Sequence, residues 1–96
     1  MKMTIISFNE AIDADVTSAL EAAGMRGFTR FKAVDGRGKS SGFHDGTEVW
    51  PGLNNVLMAV VPDDVAGKML SAVRRLRETL GTEGVKAFML PVEDAT

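Results

Sequence analysis

Apolar and polar positions along the chain fall into six short blocks. The run "MTIISF" (residues 3–8) is β-branched and apolar and reads as a buried strand. Val16, Ala19, Leu20 and Ala23 recur at i, i+3, i+4 and i+7, one apolar helix face, with Asp13 as the expected N-cap and Gly24 as the C′ terminator. The stretch "FTRFKAV" (28–34) alternates as a strand, and Arg30 and Lys32 share one side that is expected to be exposed. A near-continuous apolar run, "NNVLMAVV" (54–61), is expected to be a central strand covered on at least one face. After Pro62, with Asp63 as expected N-cap, a second stripe of Val65, Met69, Ala72, Val73, Leu76 and Leu80 predicts a helix that Gly81 closes. "VKAFMLPV" (85–92) is a last strand, limited by Pro91.

The order β-α-β-β-α-β predicts an α+β, ferredoxin-like sandwich: one four-stranded antiparallel sheet with both helices on one face. Right-handed crossovers put strands one and three in the centre. The other sheet face then has no helix to cover it. The apolar third strand suggests that other subunits do so.

The pattern breaks once, at "GRGKSSGFHDGTEVWPG" (36–52). This segment holds five of the ten glycines, the only His and the only Trp. A hairpin normally closes in two to five residues, so a connection running to about residue 53 in a small domain reads as a functional loop. Three parts are distinguishable. Gly36, Arg37, Gly38 and Lys39 place two cations between glycines, where backbone N–H groups and positive charge suit phosphate or carboxylate; the same tetrapeptide also occurs in solvated turns. His44, Asp45 and Glu48 offer one nitrogen and two carboxylates to a divalent metal, or simply a polar loop tip turning at Asp45 and Gly46. Trp50, with Pro51 and Gly52, reads as an apolar anchor back into the sheet.

Composition narrows the chemistry. A chain of 96 residues is expected to be one domain, spanning 1–96. With 45% apolar and 25% charged residues it is globular rather than disordered. Net charge is −2, which gives no global signal for nucleic acid or anionic membrane. The absence of Cys removes disulfides and thiolate catalysis, and a single His with no Ser/His/Asp constellation argues against an enzyme. The first fifteen residues are too briefly apolar for a signal peptide or a membrane span, so a cytoplasmic protein is expected. Arg74, Arg75 and Arg77 read as a solvated helix face, and Met25, Met58, Met69 and Met89 as core fillers.

The stretch "GMRGFTRFKAVDGRGKSSG" resembles the PII nitrogen-regulatory signal transducers where they leave helix one, run through strand two and enter their T-loop. "VKAFMLPVEDA" resembles that family's last core strand. The resemblance covers nearly the whole chain and implies a homotrimer whose sheets line its centre. It also implies adenine-nucleotide sites between subunits, flanked by the T-loop base and a second loop, and a T-loop that docks on a membrane transporter or an enzyme. Gly36 and Gly38 match the glycines of the T-loop base, Lys39 stands in for an Arg, and Gly84 and Lys86 match the B-loop end. Phe43, His44, Asp45, Glu48 and Trp50 are then the expected partner-facing residues. Ser40 replaces the Gln that serves 2-oxoglutarate sensing, and Tyr is absent. The resemblance therefore points outside the uridylylated nitrogen-control group, with ADP, AMP, ATP or a smaller anion as ligand. A metal-responsive trimer of CutA-like architecture, using His44, Asp45 and Glu48, is the alternative, and a ligand-free adaptor a third reading.

Overall fold

The structure is a computed structural model that describes residues 1–36, 53–81 and 84–96. Its elements are β1 (Lys2–Asn9), a 3-10 turn (Glu10–Ile12), α1 (Asp13–Ala22), β2 (Thr29–Val34), β3 (Asn54–Val61), α2 (Asp63–Leu80) and β4 (Val85–Pro91). The strands form one antiparallel sheet in the order β2-β3-β1-β4, so strands one and three are central as the element order predicts.

The helix-side face of the sheet carries Ile6 and Phe8 from β1, Leu57, Ala59 and Val61 from β3, and Val85 from β4. Against them pack Val16 and Leu20 of α1 and Ala66, Met69 and Val73 of α2, all buried. Thr4 is a buried polar residue on this face; its hydroxyl donates to the Ala59 carbonyl at 3.0 Å, so its burial leaves nothing unpaired. Helix α1 ends in a Schellman motif. The Gly24 N–H donates to the Glu21 carbonyl and the Met25 N–H to that of Leu20, with Gly24 at φ 114° and Met25 buried beneath.

Register fixes the opposite face. Val60, Met3 and Leu90 form one row across β3, β1 and β4; Met58, Ile5 and Phe88 form the next; Val56, Ser7 and Lys86 form the third, with Phe31 of β2 beside Val56. No helix covers these rows among the described residues. Phe88 stays 56% exposed, with Phe31, Val60 and Leu90 each above 40%.

Several local expectations are corrected. Asp13 and Asp63 are first helical residues, not N-caps; neither α1 nor α2 has a side-chain cap. The capping side chain is Asn9, whose Oδ1 accepts from the Ala11 N–H at the head of the 3-10 turn. Arg30 does not lie on a solvated face with Lys32: it is half-buried against α1. Arg77 is also half-buried, and Met89 is exposed at the sheet edge rather than filling the core. No helix among the described residues is long and apolar enough to cross a membrane.

Candidate functional site

The C-terminal end of β1 meets the two places where long connections return to the sheet. The Glu10 N–H donates to the Leu53 carbonyl at 3.0 Å, and the Asn9 N–H to the Gly84 carbonyl at 3.4 Å. Leu53 closes the 36–53 connection, and Gly84 closes the loop between α2 and β4. Two successive N–H groups, one on the last residue of the central strand and one on the first residue of the 3-10 turn, thus fasten the ends of both loops to one end of the sheet.

The loop after α2 is held from three sides. The Gly81 N–H caps α2 on the Arg77 carbonyl, the Gly84 N–H reaches back to the Gly81 carbonyl, and the Arg77 guanidinium donates to the Val85 carbonyl at 3.0 Å. Gly84 is buried, and a Cβ there would sit 3.2 Å from the Leu80 carbonyl oxygen, a tight approach to the backbone that favours glycine. Lys86 follows two residues later, half-buried on the uncovered sheet face opposite Ser7, with no ion-pair partner among the described residues.

The base of the longer loop is built differently. Between the pairs Phe31–Val56 and Val34–Asn54, β2 contains one residue more than β3, a bulge. Ala33 lies in it at φ 57°, the left-handed region that an L-residue with a Cβ enters at a free-energy penalty. Its N–H donates to Asn55 Oδ1 at 3.0 Å. Asn55 Nδ2 donates to Asp13 Oδ2 at 2.7 Å, and Arg30 grips the same carboxylate with Nε and one terminal nitrogen, each at 3.2 Å. Thr17 Oγ1 donates to Asp13 Oδ1 and accepts from Arg30. The Arg30 guanidinium also lies 4.9 Å from the centre of the Phe28 ring. Partial burial alone pushes the Asp13 carboxyl up. The hydrogen bonds from Asn55 and Thr17, with the charge and hydrogen bonds of Arg30, outweigh this and hold it below the ordinary value. One position further on, Asn54 lies against Gly36, and a Cβ at Gly36 would run into its amide nitrogen.

The structure therefore brings Gly36, Gly84 and Lys86 to one end of the sheet. The other residues singled out in the sequence, Arg37, Gly38, Lys39, Phe43, His44, Asp45, Glu48 and Trp50, lie outside the described residues. Among the described residues no cluster of His, Asp and Glu has metal-site geometry. Sequence reasoning missed Asn9 and Asn55 and took Arg30 and Arg77 for solvated cations. The consecutive polar residues Asn54 and Asn55, opening an otherwise apolar strand, were the available signal. A groove of about 470 Å³ between α1 and α2, reaching Ala19, Gly67, Lys68 and Ser71, opens on the helix layer and shares no residue with this end.

A family model described as nitrogen regulatory protein P-II matches residues 1–96. The chain belongs to the P-II family. No curated protein sequence matches it. Among solved structures, it is similar to CPII from Thiomonas intermedia K12, a nitrogen regulatory PII-like protein, bound to ADP, AMP and bicarbonate. That likeness has a TM-score of 0.73 at 19% identity and covers 99% of this chain and 92% of the other. CPII bound to ADP and bicarbonate gives 0.71 at 22% identity, covering 93% and 82%. A PII-like signalling protein of Thermus thermophilus gives 0.65 at 21% identity, covering 93% and 82%. At these identities the likeness establishes the fold, and it agrees with the P-II assignment.

Proposed function

We propose that this P-II family member is a homotrimeric, non-enzymatic signalling protein of the cytoplasm. It binds an adenine nucleotide (ADP, AMP or ATP) or a smaller anion at the loop end of the sheet, between protomers. It reports that ligand to a membrane transporter or an enzyme through residues 36–53. Gly36, Arg37, Gly38, Lys39, Gly84 and Lys86 form the ligand side, and Phe43, His44, Asp45, Glu48 and Trp50 face the partner.

The observation that carries this reading is the pair of hydrogen bonds from Asn9 and Glu10 that fastens both loops to one end of the sheet. A ligand touching one loop base there sits beside the other. The uncovered apolar rows supply the reason for assembly, since a monomer would leave Phe31, Val60, Phe88 and Leu90 in water. Lys86 stands at the boundary of that face and the loop end, where a cation unpaired within the described residues suits a phosphate or bicarbonate. The adenine nucleotides and bicarbonate bound in CPII are the first ligands to try.

Calorimetric titration with AMP, ADP, ATP, cyclic nucleotides and bicarbonate tests the proposal. Binding tighter than millimolar to at least one nucleotide is expected, weakened by Lys86→Ala. Flat titrations for every nucleotide would remove the nucleotide from the reading.

A further inference from the structure

We infer that Asn55, braced by Asp13 and Arg30, is a positioning residue that holds the loop base in one of two strand registers. The bulge makes the two registers definable. β2 spends three residue steps between Phe31 and Val34 where β3 spends two between Val56 and Asn54. The surplus is absorbed around Ala33, which sits left-handed at φ 57° although it carries a Cβ. If Ala33 relaxes to extended backbone, it rejoins the ladder and every later residue moves by one position. A one-residue slip sends each side chain to the other face of the sheet. Val34, Asp35 and Gly36 would exchange faces, and the chain would leave the sheet in a new direction.

Ala33 is kept from relaxing by the Asn55 carbonyl, 3.0 Å from its N–H. That amide cannot turn over. Its Nδ2 donates to Asp13 Oδ2 at 2.7 Å, and an ionised carboxylate cannot donate in return, so Oδ1 must face Ala33. Asp13 is fixed in turn by Arg30 and Thr17. Asn55 is 6% exposed, so water replaces these partners poorly. The relay runs from the first turn of α1 through β3 to Ala33 near the end of β2, three residues before Gly36. Its consequence for signalling rests on the proposed function, because only then does the exit direction at Gly36 matter to a partner. The inference about register rests on the bulge geometry and not on that function.

The test uses the isotope-labelled full chain without nucleotide, so its result and that of the ligand titrations are separable. The readouts are amide exchange at residue 33 and its ¹³Cα and ¹³Cβ shifts, which report the sign of φ. Asn55→Asp sets a carboxylate against Asp13 and should release Ala33, lowering its protection roughly tenfold and moving its shifts to extended values, while β1 amides keep theirs. Adding Asp13→Asn restores a donor facing an acceptor, and the double variant should recover the wild-type values. Ala33→Val, at an exposed position, should release the bulge with Asn55 intact, because a β-branched side chain disfavours the left-handed region. Unchanged shifts at residue 33 in Asn55→Asp or in Ala33→Val overturn the inference. So does a folded double variant that stays released.

Discussion

Replacing Phe88 by Glu separates assembly from folding. Phe88 lies in the middle row of the uncovered face beside Ile5, and in the single protomer it is 56% exposed. An aromatic side chain offers roughly 150–250 Å² to burial, so about 100 Å² of Phe88 is available to a neighbouring protomer. At about 25 cal/mol per Å², covering it contributes about 2.5 kcal/mol per protomer, roughly a sixtyfold effect on each contact. Three copies in a trimer multiply that to about 7 kcal/mol. Glu removes this contribution and adds the penalty of desolvating a carboxylate among Met3, Ile5 and Leu90. The isolated protomer loses little, because the ring was already half in water. Sedimentation velocity at micromolar concentration should show the wild-type chain as a trimer and Phe88→Glu as a monomer with an unchanged far-ultraviolet circular dichroism spectrum. A wild-type monomer, or a variant that sediments with the wild type, refutes the reasoning that this face is an interface between copies.

Other perturbations probe the loop end. Gly84→Ala places a methyl 3.2 Å from the Leu80 carbonyl oxygen, a backbone atom that yields poorly, and should cost about 1–3 kcal/mol in urea unfolding. Arg77→Leu keeps the aliphatic stem but removes the donor to the Val85 carbonyl; a loss of about 1 kcal/mol is expected, with faster amide exchange at residues 84 and 85. Asp13 titrates below the ordinary carboxylate value of 3.8 in the folded chain, so its contribution is fully present well above that value. It disappears as pH falls through the lower folded-state value. The stability gap between wild type and Asp13→Asn should therefore be widest near neutrality, narrow as pH falls through the ordinary value of 3.8, and close only below the lowered folded-state value. A gap that stays constant with pH would mean that the charge of Asp13 is irrelevant to its role.

Much of the fold was legible because its signals are periodic. The stripe through Met69, Ala72 and Val73 and the apolar run of β3 each mark one buried face, and Gly24 marks a helix end that only a residue tolerant of positive φ closes easily. What was not legible depends on partners distant in sequence. Asp13 looks like a cap because it precedes an apolar stripe, but its partners arrive from residues 30 and 55. Arg30 looks solvated by strand alternation alone; the first turn of α1 supplies the carboxylate that lets it be half-buried. Arg77 looked like one of three surface cations, yet helical spacing turns it toward β4 while Arg74 and Arg75 stay exposed.

The two glycines at the loop end have both a parallel in the family pattern and a local packing reason. Gly36 and Gly84 match family positions that imply contact with a ligand, yet each also has a local reason to lack a side chain: the Asn54 amide beside one, the Leu80 carbonyl beside the other. The two reasons differ in strength. At Gly84 a Cβ would press on a backbone oxygen, which yields less readily than a side chain whether or not anything binds. The half-exposed Asn54 side chain can swing away from an Ala at Gly36, so folding alone demands glycine only weakly there. Gly36→Ala should consequently leave stability within about 1 kcal/mol of wild type while weakening any ligand that approaches that backbone. Urea unfolding and nucleotide calorimetry on one preparation distinguish the cases. A variant that binds as tightly as wild type would leave Gly36 without a ligand role, whatever the family pattern implies.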